Sequence, residues 1–178
     1  MKPDLLVIDI ECTCGPGVPK SLQEIIEIGA VRVDPISFEI KDDFSTLIQP
    51  KLTKISPFCE RLTGISQGTV NTGLDHFNDA VSLLEQWMGG PMIFCSWGEY
   101  DRAQFKQQAE REQVGLPPFA GFINLKAAFS SAEGGKRQYG LDRALGHKGL
   151  EFIGTPHRAL TDAKNTARLV PFCLGVKR

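Results

Sequence analysis

Apolar runs alternate with short, turn-rich stretches along this chain and divide it into strands and helices in a definite order. Leu5-Leu6-Val7-Ile8-Asp9-Ile10-Glu11 is apolar except for its two acids and predicts a first strand. Glu24 to Val33 predicts a second, closed by Asp34-Pro35, and Phe44 to Ile48 a third, closed by Pro50. Short loops between the three favour an antiparallel meander. Ser56-Pro57 has the chemistry of an N-cap and a first helical turn, and Gly64 that of a helix stop. From Asp75 to Met88 the residues Phe77, Ala80, Val81, Leu84 and Met88 recur on one helical face, before Gly89-Gly90-Pro91. Met92 to Trp97 predicts a short buried strand, and Tyr100 to Glu112 a helix. Shorter helices are predicted over 124–130 and 139–146, and a last long one from Ala159 to Cys173, cut early by Pro171. Three strands followed by helix and strand in alternation predict a mixed α/β layer architecture.

Length adds that residues 1–178 form one domain with a sizeable core. The composition, 42% hydrophobic and 23% charged, is that of a globular protein rather than a disordered or fibrous one. No stretch approaches the ~20 apolar residues of a membrane span, so no membrane partner is expected. The N-terminus runs into the first strand without a signal-peptide pattern, which makes a cytoplasmic location the default expectation. Five cysteines (Cys12, Cys14, Cys59, Cys95 and Cys173) are odd in number and scattered in spacing. They read as small buried thiols rather than as a disulfide framework or a zinc site. The net charge of −1 hides an asymmetry: residues 1–123 carry a net −7 and residues 124–178 a net +6. A basic C-terminal third suits a phosphate backbone, and it equally suits solvated helix faces.

The candidate chemistry lies at both ends of the chain. Side chains alternate along a strand, so Asp9 and Glu11 share a face with Leu5 and Val7 and can converge on one cation. Asp101 follows Trp97-Gly98-Glu99-Tyr100, just past a buried strand, where it either serves a site or stabilises the N-terminus of the next helix. Pro156 keeps Thr155 extended, which places His157 in a loop at the mouth of the last helix, with Asp162 in that helix's first turns. Asp162 lies beside Ala159 and Thr166 on the helix surface, and small residues there allow close approach to a sheet. His76 and His147 read as surface and turn residues. Four carboxylates and one histidine in this order suggest a two-metal phosphodiesterase. No phosphate-binding glycine loop and no nucleophile elbow is present.

Taken together, Asp9-Ile10-Glu11, Tyr100-Asp101 and His157-x4-Asp162 resemble the three motifs of the DEDD exonuclease superfamily, in its DEDDh subgroup. The fold which that resemblance implies is ribonuclease-H-like: a mixed central sheet, an antiparallel meander then parallel strands, flanked by helices. Asp9-Ile10-Glu11-Cys12-Thr13-Cys14 with Glu24-Ile25-Ile26-Glu27-Ile28-Gly29, Leu62-Thr63-Gly64-Ile65 and Asp162-Ala163-Lys164-Asn165 are similar to the enhanced-RNAi and histone-mRNA 3′-exonuclease group. The chain departs from that group in its second motif, where Trp97 stands four residues before Asp101 rather than directly before it, and in showing no added nucleic-acid-binding module.

The resemblance implies a 3′–5′ exonuclease that releases nucleoside 5′-monophosphates from single-stranded RNA or short 3′ overhangs. In it, Asp9, Glu11, Asp101 and Asp162 hold two Mg²⁺ or Mn²⁺ ions, an oxygen-only set suited to those metals, and His157 takes the proton from the attacking water. Cys12 and Thr13 would contact the terminal ribose, and Trp97 would either stack on the terminal base or pack in the core. Lys126, Arg137, Lys148 and Arg158 are candidates to guide the strand. The expected partner is single-stranded nucleic acid, RNA before DNA. The alternatives are a DNA-directed trimming enzyme, an oligoribonucleotide scavenger, and a catalytically silent nucleic-acid-binding module of the same fold.

Overall fold

A computed structural model describes residues 2–135 and 137–175; the extremities of the expected 1–178 domain lie outside them. Five strands form one sheet: β1 (Leu5–Cys12), β2 (Ile25–Val33), β3 (Ile40–Leu47), β4 (Met92–Ser96) and β5 (Phe119–Asn124), in the order β3-β2-β1-β4-β5. The first three pair antiparallel as a meander, and β4 and β5 add in parallel beyond β1. The mixed sheet flanked by helices, expected from the resemblance, is the fold observed.

Among the described residues, eight α-helices and a 3-10 turn at Lys20–Leu22 accompany the sheet. The α-helices are α1 (Pro57–Thr63), α2 (Gln67–Val70), α3 (Phe77–Met88), α4 (Tyr100–Glu112), α5 (Leu125–Ala132), α6 (Leu141–His147), α7 (Ala159–Ala167) and α8 (Val170–Leu174). Ser56 caps α1 by accepting from the Cys59 N–H, and Gly64 ends it in the left-handed conformation, as the sequence suggested. None of these helices is long and apolar enough to cross a membrane, among the described residues.

Period-two alternation divides the core. Leu6, Ile8, Ile10 and Cys12 of β1 pack with Phe77, Val81, Leu84 and Phe105 from α3 and α4 on one side of the sheet. Leu5 and Val7 pack on the other with Val31 and Val33 of β2 and with Ala163, Ala167 and Val170 of α7 and α8. Asp9 and Glu11 continue the second face, and therefore lie under α7. That helix sits directly on β2: a Cβ on Gly29 would lie 2.0 Å from the Leu160 nitrogen and 2.2 Å from the Ala159 carbonyl carbon. Only hydrogen at residue 29 allows this approach.

Three elements depart from the sequence expectation. Strand β3 starts at Ile40 rather than Phe44, because Lys41, Asp42 and Asp43 lie exposed on an edge strand where charge is tolerated. Strand β5 has no counterpart in the expected element list; Pro117-Pro118 and Ala120-Gly121 disguise it, and its partly exposed edge position accepts both. The last helix is not continuous to Cys173: α7 ends at Ala167, and Pro171 lies in the first turn of α8 rather than stopping α7.

Candidate active site

Strand β1 outruns its neighbour. It pairs with β4 only through Leu5–Val7, while it stays paired with β2 to Cys12. The Ile10 N–H consequently has no sheet partner on the β4 side, and it donates instead to Asp101 Oδ1 at 3.2 Å. Asp101, only 6% exposed in the first turn of α4, thereby supplies a missing sheet hydrogen bond and brings a fixed carboxylate to the end of β1. Its place in the first turn of α4 meets the helix-start reading, and its carboxylate at the end of β1 stands where the site-acid reading needs one.

Asp162 arrives from the opposite side, in the first turn of α7. Its Oδ2 accepts from the His157 N–H at 3.2 Å, and its Oδ1 is buried without any partner. His157 has a backbone φ of 60°, left-handed and costly for a residue with a side chain. Its exposed ring and the Glu11 and Asp162 carboxylates place one ligand atom each within 4.8 Å of one another. The loop leading to His157 is tied to α7 by Asn165, whose amide donates to Ile153 O at 2.9 Å and accepts from the Ile153 N–H at 3.1 Å.

Glu27 was not singled out as a site residue by sequence reasoning. It stands opposite Glu11 in the β1–β2 register and is 2% exposed. Both its oxygens accept from Arg158, the shortest contact being 2.6 Å, and Oε2 also accepts from the Ala159 N–H at 2.9 Å. It thus holds the N-terminal turn of α7 and the residue next to His157. The available signal was an ionisable residue in the middle of the otherwise apolar Ile25–Gly29 run. Glu27→Ala would strand Arg158 beside the cluster and uncap α7. The Arg158 left behind is 40% exposed and water takes up part of its charge, so a loss of about 1.5–3 kcal/mol is expected, read by urea denaturation, with Glu27→Gln losing less because it still accepts from Ala159.

The electrostatics of the cluster are unbalanced. Burial, with Asp101, Asp162, Glu11 and Glu27 close by, drives the Asp9 carboxyl far above its ordinary range. Burial and the charges of Asp162 and Glu27 push Glu11 up to about 8, with Arg158 opposing. Asp101 is pushed up to about 6, mainly by burial, and Asp162 is raised by burial against the lowering bond from His157. Carboxylates gathered at this cost fit a divalent cation, and the orphaned Asp162 Oδ1 is a donor awaiting one. The donors from Asp9, Glu11, Asp101 and Asp162 are all oxygens, which suits a hard cation.

The expected substrate contacts fare differently. Thr13 is fully buried; its N–H donates to Glu24 O, and its hydroxyl accepts from the Glu24 N–H and bonds Thr53. Its hydroxyl is therefore engaged with Glu24 and Thr53 rather than free for a ribose. Cys12 is 5% exposed and its thiol lies against the Tyr100 hydroxyl, so it too belongs to the packing. Trp97 donates its indole N–H to Tyr139 O at 3.1 Å and packs on Phe129, which favours the core reading over base stacking. Lys148 is held by Glu133 and Arg158 by Glu27, so neither is a loose guide for a strand. The five cysteines are free thiols; Cys12, Cys59 and Cys95 are buried as the sequence suggested, while Cys14 and Cys173 are only partly so. His147 pairs with Glu133 on the surface and His76 is exposed at the start of α3.

The family profile described as Exonuclease (RNase_T) matches residues 6–170. ERI1 exoribonuclease 2 of Xenopus laevis is 32% identical over 189 residues, covering 93% of this chain and 27% of that protein. Human 3′-5′ exoribonuclease 1 is 31% identical over 177 residues, covering 93% of this chain and 50% of that protein. The chain therefore spans half or less of these two relatives. Among solved structures, the nuclease domain of 3′hExo, a DEDDh family member bound to rAMP, superposes with a TM-score of 0.85 at 28% identity. The match covers 99% of this chain and 96% of that one.

Proposed function

From the premise that this chain belongs to the RNase_T exonuclease family, with DEDDh relatives in sequence and fold, we propose that it is a metal-dependent 3′–5′ exonuclease acting on single-stranded RNA or short 3′ overhangs. The observation that carries this reading is the convergence of Asp9, Glu11, Asp101 and Asp162, with His157 at their rim, in a cluster whose carboxyls are all raised. RNA is favoured over DNA by the relatives described as exoribonucleases.

Asp9, Glu11, Asp101 and Asp162 would hold two Mg²⁺ or Mn²⁺ ions. Bound there, such ions supply Lewis-acid stabilisation of phosphoryl charge and make a water acidic enough to attack at neutral pH. The chain's own groups do the rest. The His157 ring, exposed beside Glu11 and Asp162, accepts one proton of the attacking water. The water oxygen bonds to the last phosphorus as the bond to the preceding 3′ oxygen breaks, and that oxygen takes a proton from solvent. A nucleoside 5′-monophosphate and a strand one residue shorter leave. The Asp162–His157 backbone bond and the Glu27–Ala159 bond hold the main chain on both sides of Arg158 and so keep the imidazole's point of attachment at the rim of the cluster.

His157→Ala is expected to lower kcat by about 10²–10⁴-fold with little change in RNA affinity; an unaltered kcat would take His157 out of the chemistry. The reading as a whole is tested by a time course on 5′-labelled single-stranded RNA and DNA of one sequence with Mg²⁺, Mn²⁺ or EDTA. A metal-dependent ladder shortening from the 3′ end is expected, faster on RNA. A faster DNA ladder would favour the trimming enzyme, and no cleavage with any metal would leave a nucleic-acid-binding module.

A further inference from the structure

The net positive charge of residues 124–178 is not spread evenly once the chain is folded. Lys148 is spent on Glu133, Arg158 on Glu27, Lys164 on Asp43, and Arg168 on Asn165 and Glu151 O. Arg137 and Arg143 are both exposed and make no side-chain hydrogen bond or ion pair among the described residues. They lie on the same side of the molecule as the catalytic cluster. A cavity of about 600 Å³ opens at His157 and Asp162, runs past Phe152 and Leu141, and reaches Arg143. A second cavity, of about 390 Å³, begins at that same Arg143 and extends to Arg137 and Tyr139.

We propose that these two cavities form one continuous groove along α6, and that it carries the single-stranded substrate 5′ of the scissile bond, with Arg143 and Arg137 on successive phosphates. This rests on the exonuclease reading of the site.

The chemistry changes along the groove in the manner a strand requires. Next to the cluster the walls are apolar, Leu141 and Phe152, which suits the faces of bases and leaves the charged work to the site acids. Farther out, two unpaired guanidiniums flank the Tyr139 ring. Planar, permanently charged donors of that kind bind phosphate oxygens bidentately. Asp142 also lines the inner cavity, so phosphates are held at Arg143 and Arg137 and not throughout; an acid there would accept from the amino group of a base. The seven-residue α6 is ~10 Å long, so the groove holds more than the terminal nucleotide.

The test uses the whole chain and single-stranded RNA, a dinucleotide against a strand of roughly twenty residues. Turnover is measured as a function of salt in Mg²⁺, and binding of the longer strand by fluorescence anisotropy in the Asp9→Asn background, where no cleavage intervenes. Arg137→Ala with Arg143→Ala is expected to raise KM for the longer strand at least about tenfold, and to flatten the slope of log KM against log salt by about 0.7 for each arginine removed. The preference for long over short substrate should fall by the same factor, and lysine at both positions should recover most of the slope. Lys106→Ala, a cation on α4 outside the groove, should leave that preference unchanged. A double variant with the wild-type salt slope and length preference would overturn the path while leaving the exonuclease reading in place. Salt-sensitive RNA binding that depends on both arginines, in a protein that cleaves nothing, would keep the groove and remove the exonuclease.

Discussion

Replacing Asp9 by asparagine is expected to abolish turnover and, in the same protein, to raise the melting temperature measured in EDTA. Both effects come from one charge. Asp9 is the most central carboxyl of the cluster, facing Asp101, Asp162, Glu11 and Glu27, and burial already opposes its ionisation. A group whose folded pKa is raised stabilises the fold fully below its unfolded pKa, and that contribution is lost as pH rises through the folded value. For Glu11 the loss runs from about 4 toward about 8, and for Asp101 toward about 6, so the metal-free protein should weaken steadily across this range. Asparagine keeps the shape and has neither a proton to hold nor a charge to bury, so it escapes the cost that grows with pH for the buried carboxyl. A saturating divalent cation should produce the opposite trend, stabilising more at higher pH because it competes with fewer protons, by about 2.7 kcal/mol at a hundredfold excess over Kd. Thermal melts of wild type and Asp9→Asn from pH 5 to pH 8.5, with EDTA or Mn²⁺, decide it. An Asp9→Asn protein that melts lower than wild type in EDTA at pH 8 would remove the buried-charge argument, and residual metal-dependent cleavage would remove Asp9 from the mechanism.

The second large effect is expected at a residue with no chemistry. Gly29→Ala would put a methyl carbon 2.0 Å from the backbone nitrogen of Leu160, and backbone cannot rotate away as a side chain can. Helix α7 has to lift from β2, opening the contact of Ala159, Ala163 and Ala167 with the sheet. Overpacking of this kind costs about 3 kcal/mol or more, which lowers Tm by roughly 6–12 °C at this chain length. His157 and Asp162 ride on the same helix, so activity should fall well below what the fraction folded accounts for. Gly68→Ala is the matched control, since its new methyl would meet only Ser66 Oγ at 3.6 Å. A Gly29→Ala protein with wild-type Tm and kcat would show that α7 does not depend on this contact.

The sequence exposed those parts of the fold that obey a period. Strands β1, β2 and β4 and helices α3 and α4 fall within two residues of their expected bounds; the strands and α3 carry a repeating apolar surface, whereas the buried side of α4 is largely polar, with Asp101, Gln104 and Gln108 beside Phe105 and Ala109. Strand β5 and the start of β3 lie at the two sheet edges, where burial is slight and the pattern fades. The acids and the histidine were legible because their order along the chain resembles a known set. Their supports were not. Glu27 is recognisable only from the register that sets it opposite Glu11, and Asn165 only from the loop it ties down. Thr13 looked available in the sequence and is sealed inside by Glu24 and Thr53, contacts that no local pattern encodes.

The pairing of Glu27 with Arg158 joins residues 131 positions apart in the chain. A ribosome therefore delivers Asp9, Glu11 and Glu27 early and the histidine-bearing helix late. At about 5–20 residues per second the interval is several seconds or longer. Throughout it, the emerging polypeptide carries Asp9, Glu11 and Glu27 without the Asp162 and His157 that complete the cluster. The cluster is complete only once α7 closes over the sheet, so the site is among the last features of the fold that synthesis permits.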